Sequence, residues 1–475
     1  MSWLHDKTTE ILSRIEKAKS LRAYPYFRQF SSIGSRVNIE DGSYINYTSN
    51  DYLGLSQSKV LIEAAVEGTR RYGTGLGSAR PQASTVRHTL LEDRLARWQG
   101  YTGCAVFTTG YQALVGTLQA FLDDETTVVL DKLSHAAIID GALLAKGQSE
   151  ELEIRFFKHN DVASLDKTLA GAANPKKMVV IEGLYSVDGD IAPLADMLTV
   201  AKKHGAVVML DDAHGLGTLG PTGKGVAEAQ RVMGQADLLI GTFSKSFGTV
   251  GGFLCADKEL IDYTKFAARS FAFSASLPLA QVEAALAALD IIEHDVTLMK
   301  RLHENGRRFR EGLLSLGLNL GDATTHITPI FLNDEELTIK FAAYLYHGAG
   351  VVMIPFISPG VQKGKERLRC NVTAAHTEAQ MGYTLEAVAE IGKMLGIIDK
   401  RVSTGTPQID RVKWFLQNEV DGVRRAGLPF LRRELRTQSK RLWDKYVNKS
   451  HEAEPAKPAK PEAPADTTAD TTTDA

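Results

Sequence analysis

The stretch Gly241-Thr242-Phe243-Ser244-Lys245-Ser246-Phe247-Gly248-Thr249-Val250-Gly251-Gly252 comes directly after the apolar run Leu238-Leu239-Ile240. The apolar run is typical of a buried strand, and the stretch after it places one lysine among small, hydroxylated and glycine residues. A partly desolvated lysine loses its proton readily, and small neighbours leave room for a cofactor against the backbone. Taken alone, the stretch fits a solvated loop lysine as well as a lysine that forms a Schiff base.

Short apolar runs alternate with helix-length segments from about residue 46 to residue 285. Because these runs are continuous rather than alternating, they indicate strands that are covered on both faces. We therefore predict an α/β fold with a mostly parallel sheet between helices, and polar chemistry at the ends of its strands. The runs are residues 105–107, 128–130, 154–157, 178–181, 207–210, 238–240 and 252–254.

Changes in this pattern divide the chain into five segments. We predict an N-terminal helical arm over 1–45, a large domain over 46–285 and a smaller α+β domain over 286–399. A basic helical extension follows over 400–450. The tail over 451–475 contains no large apolar residue and is expected to be disordered.

Bulk composition excludes several classes of function. Lys+Arg 55 against Asp+Glu 57 gives a net charge of -2, so no overall field attracts nucleic acid. The cysteines, Cys104, Cys255 and Cys370, have no metal-ligand spacing, so we expect no metal and no disulfide framework. Charged residues begin within the first few positions of the N-terminus, and no apolar run is long enough to span a membrane. We therefore expect a cytoplasmic protein.

The segment Asp211-Asp212-Ala213-His214-Gly215 follows the predicted strand 207–210. A weakly hydrated carboxylate at a strand end can keep a cofactor ring nitrogen protonated, and His214 can reach a ring substituent from the same side. The alternative is a pair of helix-capping aspartates beside a surface histidine. Together with the candidate lysine, the segment favours a cofactor that acts as an electron sink.

Three further motifs suggest binding functions. His135 follows the predicted strand 128–130, where an imidazole can stack on a ring or serve a structural purpose. Residues 107–113 run from a strand into a helix, and Gly110 lets backbone N–H groups there hold a phosphate. Arg367 and Arg369 share one face of a predicted strand, which suits either a carboxylate clamp or a surface ion pair.

These motifs, taken in this order, resemble the α-oxoamine synthases among the fold-type I pyridoxal-phosphate (PLP) enzymes. Members of that family condense an amino acid with an acyl thioester, in most cases with loss of carbon dioxide. The likeness extends over about residues 1–399. It rests on residues 49–55, 109–111, 134–136, 182–194, 211–214, 242–245 and 373–377.

The resemblance implies a role for each matched site residue. Lys245 would form the Schiff base and move the α-proton, Asp211 would face the pyridinium nitrogen and His135 would stack on the ring. His214, and with it Ser186, would face the phenolic oxygen. The resemblance also implies a homodimer. The phosphate would be contacted by Gly110, Tyr111, Thr242 and Ser244, and from a second subunit by Ser274 and Ser276. The substrate carboxylate would be held by Asn50 and Arg369.

Within the family, the residues are most similar to bacterial serine palmitoyltransferases, in residues 157–160, 189–194, 202–206, 241–252 and 273–278. This favours serine and a long-chain acyl-CoA as substrates. The loop 78–84 lacks the usual glycine, and Phe356-Ile357-Ser358 stands where those enzymes have an arginine. Alternatives are an 8-amino-7-oxononanoate synthase-like or glycine C-acetyltransferase-like enzyme, a donor on acyl carrier protein, and a non-catalytic partner subunit.

The basic extension combines apolar and cationic residues at helical spacing. Leu431, Leu435, Leu442 and Tyr446 fall near one face, with arginine and lysine over the remainder. One interpretation is a helix that packs on its own enzyme with a solvated charged face. The other is peripheral membrane contact through residues 410–450, with aromatic side chains in the headgroup region of anionic lipid.

Overall fold

The computed structural model describes residues 3–20, 24–39 and 42–402. These residues belong to one compact unit, Met1–Phe415, and a second unit spans Leu416–Ala475. The second unit lies outside the described residues, as do nearly all of the predicted basic extension and the whole of the tail. The predictions made for those segments therefore remain predictions.

The described residues form strands and helices that alternate through most of the chain. The strands are β1 (Arg36–Ile39), β2 (Gly42–Asn46), β3 (Gly103–Phe107), β4 (Thr126–Asp131), β5 (Glu153–Phe157), β6 (Lys176–Glu182), β7 (Val207–Asp211), β8 (Leu238–Thr242), β9 (Gly252–Ala256), β10 (Ile327–Phe331), β11 (Val351–Val352), β12 (Ile354–Phe356) and β13 (Arg367–Asn371). The helices are α1 (Trp3–Ser20), α2 (Lys59–Tyr72), α3 (Val86–Gln99), α4 (Gly110–Phe121), α5 (Ala136–Lys146), α6 (Val162–Ala170), α7 (Leu194–Lys203), α8 (Val226–Ala229), α9 (Lys258–Ala267), α10 (Arg269–Ala272), α11 (Leu279–His294), α12 (Thr297–Ser315), α13 (Glu335–Ala349) and α14 (Glu378–Met394).

The central sheet has seven strands in the order β3-β9-β8-β7-β6-β4-β5. Each of the seven predicted apolar runs lies in one of these strands. β4 to β8 pair in parallel, whereas β9 is antiparallel to both β3 and β8. The prediction of a mostly parallel sheet is confirmed. Because β9 runs against both neighbours, the carboxyl end of β3 lies at the same edge of the sheet as those of β4 to β8.

Alternate residues of each strand pack into different hydrophobic clusters. Val179 and Leu210 belong to one buried cluster, whereas Val180 and Met209 belong to another. Successive side chains of a strand point to opposite faces, so the two clusters cover the two faces of the sheet. A sheet buried on both sides explains why the apolar runs are continuous rather than alternating.

Two smaller sheets of three strands each accompany the central one, with orders β1-β2-β11 and β10-β13-β12. Among the described residues of the predicted N-terminal arm, α1 is helical, whereas β1 and most of β2, which also lie within residues 1–45, are strands. A third buried cluster includes Tyr47, Phe309 and Leu368. Within the described ranges, none of the helices combines the length and the apolar composition that crossing a membrane requires.

Candidate active site

Most of the predicted site residues lie in loops at one edge of the central sheet. Gly110 begins α4 just after β3, and His135 precedes α5 after β4. Asp211 ends β7, and Lys245 follows β8 by three residues. The pairing of β7 with β8 places Asp211 opposite Ile240 and therefore close to the loop that carries Lys245. The fold brings together groups that are far apart in the sequence.

The loop that carries Lys245 is anchored on both sides of the lysine. Phe243 and Phe247 are fully buried, and both rings contact Phe253. The backbone N–H of Gly248 donates to the carbonyl oxygen of Lys245 at 2.9 Å. Burial lowers the pKa of the Lys245 amine to about 8, although the carboxylates of Asp211 and Glu182 act in the opposite direction. Roughly a tenth of this amine is therefore unprotonated at pH 7, and the fraction approaches a half near pH 8.

Two buried carboxyl groups end neighbouring strands beside this lysine. Asp211 and Glu182 are opposite each other in the pairing of β7 with β6. Burial, and then the charge of Asp211, raise the pKa of Glu182 well above its usual range. Glu182 Oε1 also accepts a hydrogen bond from the backbone N–H of His135 at 2.6 Å. Glu182 has no separate role among the sequence-based predictions, although a carboxylate at the end of a buried strand is the signal that identified Asp211.

His214 is buried and lies close to an equally buried tyrosine. The Tyr52 hydroxyl is 2.7 Å from His214 Nδ1, and the Tyr52 ring packs edge-on against His326. Burial lowers the pKa of His214 well below its usual range, and the positive charges of Lys245 and Arg369 act in the same direction. His214 is therefore neutral near pH 7. In the sequence Tyr52 is only part of the motif 49–55, because an apolar-looking tyrosine is indistinguishable there from an ordinary core residue.

His135 lies at the start of α5 with its side chain exposed. Its Nδ1 accepts a hydrogen bond from the backbone N–H of Ala137 at 3.1 Å. In the neutral ring the proton therefore sits on Nε2. The contacts of Nδ1 and of the backbone N–H fix the position of the ring at the open side of the site, where it can stack on a planar group.

The N-terminus of α4 lies against the end of β8. A Cβ atom on Gly110 would come 3.1 Å from Thr242 Cβ, so only glycine allows this approach without displacement. The hydroxyl groups of Thr242 and Ser244 lie 2.8 Å apart, while the exposed Tyr111 donates to Asp140 at 2.9 Å. Helix N–H groups beside two hydroxyl groups suit an anion such as phosphate.

Two predicted phosphate contacts lie on the segment before α11. Ser274 Oγ accepts from Gln112 Nε2 at 2.9 Å, which places it near the same helix N-terminus. Ser276 is buried, and its hydroxyl donates to the carbonyl oxygen of Ser78 at 2.9 Å. Their predicted contact with the phosphate of a second subunit stays a prediction.

Arg369 reaches the site from β13. Its Nη1 donates to the carbonyl oxygen of Ser186 at 3.0 Å and its Nη2 to Asn50 Oδ1 at 3.4 Å. Its Nε is buried and has no hydrogen-bond partner among the described residues. Arg367 on the same strand face instead pairs with the carboxylate of Asp188. A half-buried guanidinium whose buried Nε has no partner among the described residues can hold a carboxylate.

The cluster as a whole fits one cofactor chemistry. It offers an amine of lowered pKa for an aldehyde, a carboxylate for a ring nitrogen, an exposed imidazole for a ring face and a helix N-terminus for a phosphate. Those four partners match the four functional parts of PLP. The class defined by this fold and site is that of the fold-type I PLP enzymes.

Comparison with known proteins places the chain within that class. The family model described as aminotransferase class I and II matches residues 43–388. The chain is 37% identical over 372 residues to the 8-amino-7-oxononanoate synthase of Petrotoga mobilis, which covers 78% of this chain and 93% of that one. It is 36% identical over 390 residues to the serine palmitoyltransferase of Bacteriovorax stolpii, with 81% and 91% covered.

Solved structures give the same result. A serine palmitoyltransferase variant from S. paucimobilis, with bound PLP-myriocin aldimine, has a TM-score of 0.80 and 33% identity, and the match covers 84% of this chain and 100% of that one. The chain belongs to the aminotransferase class I and II family, as an α-oxoamine synthase. It is a PLP-dependent C-acyltransferase, and the sequence-based predictions of family, fold class and cofactor are confirmed.

Proposed function

We propose that this enzyme condenses serine with a long-chain acyl-CoA, with decarboxylation, to give an α-amino ketone such as 3-ketosphinganine. Support comes from the relatives named serine palmitoyltransferase, one of which matches over the full length of its solved structure. The observation that carries the chemistry is Arg369, whose buried Nε has no partner among the described residues and lies beside the lysine of lowered pKa.

The proposed roles follow from what each side chain can do at its position. PLP, when bound, supplies an electron sink for the carbanion at the amino-acid α-carbon. Asp211 would hold the proton on the ring nitrogen, His135 would cover the ring, and His214 with Ser186 would face the phenolic oxygen. Lys245 would hold the cofactor and move the α-proton, which a pKa of about 8 permits near neutral pH.

Binding of the substrate and of the phosphate falls to other groups. Arg369 and Asn50 would hold the amino-acid carboxylate, and the buried setting strengthens this contact because little water competes. Gly110, Tyr111, Thr242 and Ser244 would hold the phosphate. We further propose a homodimer in which Ser274 and Ser276 complete the phosphate site of the other subunit. A large domain over 46–285 and a smaller one over 286–399 would frame the site.

A second candidate is an 8-amino-7-oxononanoate synthase-like activity on alanine and a shorter acyl thioester. It is favoured by relatives of that name, which match this chain at up to 37% identity. The two candidates share every proposed role of Lys245, Asp211 and Arg369. They differ only in the amino-acid side chain and the acyl chain, so substrates rather than site variants must separate them.

A matrix of substrates tests both candidates. Serine, alanine and glycine would each be combined with acetyl, medium-chain and palmitoyl thioesters, carried either by coenzyme A or by acyl carrier protein. Release of carbon dioxide and the mass of the ketone product would be measured, with Lys245→Ala as the blank. We expect the highest kcat/KM for serine with palmitoyl-CoA. Preference for alanine with a shorter thioester would establish the second candidate instead, and no product from any pair would favour the non-catalytic subunit.

A further inference from the structure

His159 lies between two carboxylates at the carboxyl edge of the central sheet. Its Nδ1 is 3.0 Å from Asp131 Oδ1, and its Nε2 is 2.8 Å from Asp190 Oδ2. The Tyr185 ring packs edge-on against the imidazole at 4.5 Å between ring centroids. The proposed mechanism does not use any of these four residues. Their contacts nevertheless join two loops that carry site residues.

The first of these loops runs from β4 to His135. Asp131 is fully buried, and its Oδ1 also accepts from the backbone N–H of Leu133 at 2.8 Å. The backbone N–H of Ser134 donates to the Asp131 carbonyl oxygen at 3.1 Å, so the turn folds around this one residue. The position of Asp131 therefore sets where the chain delivers His135.

The second loop runs from β6 through Ser186 to Asp190. The backbone N–H of Tyr185 donates to the carbonyl oxygen of Asp190 at 3.0 Å, which closes the loop. Within it, the carbonyl oxygen of Ser186 accepts from Arg369 Nη1. A shift of Asp190 would therefore move both the side chain of Ser186 and one of the contacts that orient Arg369.

The link requires a protonated imidazole. Both ring nitrogens face carboxylate oxygens, and only the imidazolium can donate from both at once. Burial lowers the pKa of His159, but the hydrogen bonds and charges of Asp131 and Asp190 outweigh burial and raise that pKa to about 9. Asn160 supports the same link, since its backbone N–H donates to Asp131 Oδ2 at 3.0 Å and its Nδ2 to Asp190 Oδ2 at 2.6 Å.

We propose that His159 is a positioning residue that fixes the His135 loop and the Ser186 loop relative to each other, and so aligns the cofactor ring and the amino-acid carboxylate. The inference rests on the proposed roles of His135, Ser186 and Arg369. It assigns to His159 no contact with substrate or cofactor. Loss of His159 should therefore change the geometry of the two loops directly, and change turnover only as a consequence.

The test compares His159→Gln with a matched histidine elsewhere. Both N–H donors of glutamine are on one nitrogen, so glutamine cannot replace donors on two separate ring nitrogens that face different carboxylates. The matched variant His204→Gln removes a histidine that pairs with Asp166 between α6 and α7. Hydrogen exchange of the cofactor-free proteins would be followed in peptides covering residues 131–137 and 184–191. In His159→Gln we expect faster exchange in both peptides together, and in His204→Gln in neither.

Kinetics of the holoenzyme provide a second measurement. We expect His159→Gln to raise the amino-acid KM by about 10-fold, because small misplacements of oriented groups are costly, and to change the circular dichroism of the bound cofactor. The acyl-thioester KM should not change. Asp190→Asn should have the same effects, and the double variant should be no worse than the more impaired single variant, because both changes break one link.

Three results would overturn the proposal. They are unchanged exchange in both loops, an effect on the two substrates in equal measure, and additive effects of His159→Gln and Asp190→Asn. Failure of the proposed function itself would be seen separately, as no ketone product from serine and palmitoyl-CoA in the substrate matrix of the unaltered enzyme, whose His159 contacts are intact.

Discussion

At the scale of single residues, Lys245 depends on burial for its reactivity. Its pKa is lowered from the ordinary 10.5 to about 8, so half of the amine is unprotonated near pH 8. We predict that the rate at which PLP attaches to the cofactor-free enzyme rises with pH to a midpoint near 8. Stopped-flow absorbance across a pH series measures this midpoint. A midpoint near the ordinary value would show that the amine is solvated.

Asp211 provides a second prediction at this scale. Asp211→Asn should still bind PLP but lose most exchange of the amino-acid α-proton with deuterated solvent, because a neutral amide cannot hold the ring nitrogen protonated. Asp212→Asn is the matched control, since burial raises the pKa of Asp212 to about 8 and leaves it mostly neutral at pH 7. NMR of the amino acid follows the exchange. Near-normal exchange in Asp211→Asn would remove Asp211 from the site.

The sequence was sufficient for residues whose signal is local. Lys245 and Asp211 each follow a recognisable strand, so their position at one edge of the sheet could be predicted. The partners of His159 could not, because Asp131 and Asp190 are 28 and 31 residues away in the chain. The raised pKa of Glu182 was equally hidden, since it results first from burial in the fold and then from the charge of Asp211 in the neighbouring strand.

At the scale of elements, β13 carries two arginines on one face that differ in their partners. Arg367 forms a buried ion pair with Asp188, whereas Arg369 keeps a donor without a partner among the described residues. The two residues are one period apart on a strand, which the sequence showed. Arg367 is the one that pairs with a carboxylate of the protein, because the loop after β6 brings Asp188 to it. The sequence did not show this contact.

This difference predicts opposite results for two alanine variants. Arg369→Ala should weaken amino-acid binding by roughly 2–5 kcal/mol, the usual cost of removing one partner of a buried charged contact, without lowering the melting temperature. Arg367→Ala should lower the melting temperature, because the carboxylate of Asp188 loses its partner. Substrate titration and thermal denaturation measure the two effects. Equal effects of both variants on amino-acid binding would show that Arg369 does not bind the amino-acid carboxylate.

The quality of the fold prediction also varied by element. The strands of the central sheet were found because each is buried on both faces and reads as a continuous apolar run. β1 and β2 were missed: they are short, and polar residues such as Arg36 and Ser43 interrupt their pattern. The pairing of β2 with β11, some 300 positions further along the chain, is a tertiary contact that no local pattern encodes.

At the scale of the whole molecule, the segment beyond residue 402 lies outside the described residues. If residues 410–450 contact lipid, the full chain should sediment with anionic vesicles and a chain that ends at residue 402 should not. Both proteins should retain PLP, because every proposed cofactor contact lies before that point. Neutral vesicles are the control. Equal sedimentation of the two proteins, or none by either, would leave the packed helix as the interpretation.

We propose that this edge of the sheet holds PLP on Lys245. Reduction of the holoenzyme with borohydride, followed by peptide mass mapping, tests it most directly. We predict one cofactor per chain, fixed to the peptide that contains Lys245, and none in Lys245→Ala. A reduced cofactor on a different lysine, or an equal yield in Lys245→Ala, would contradict it.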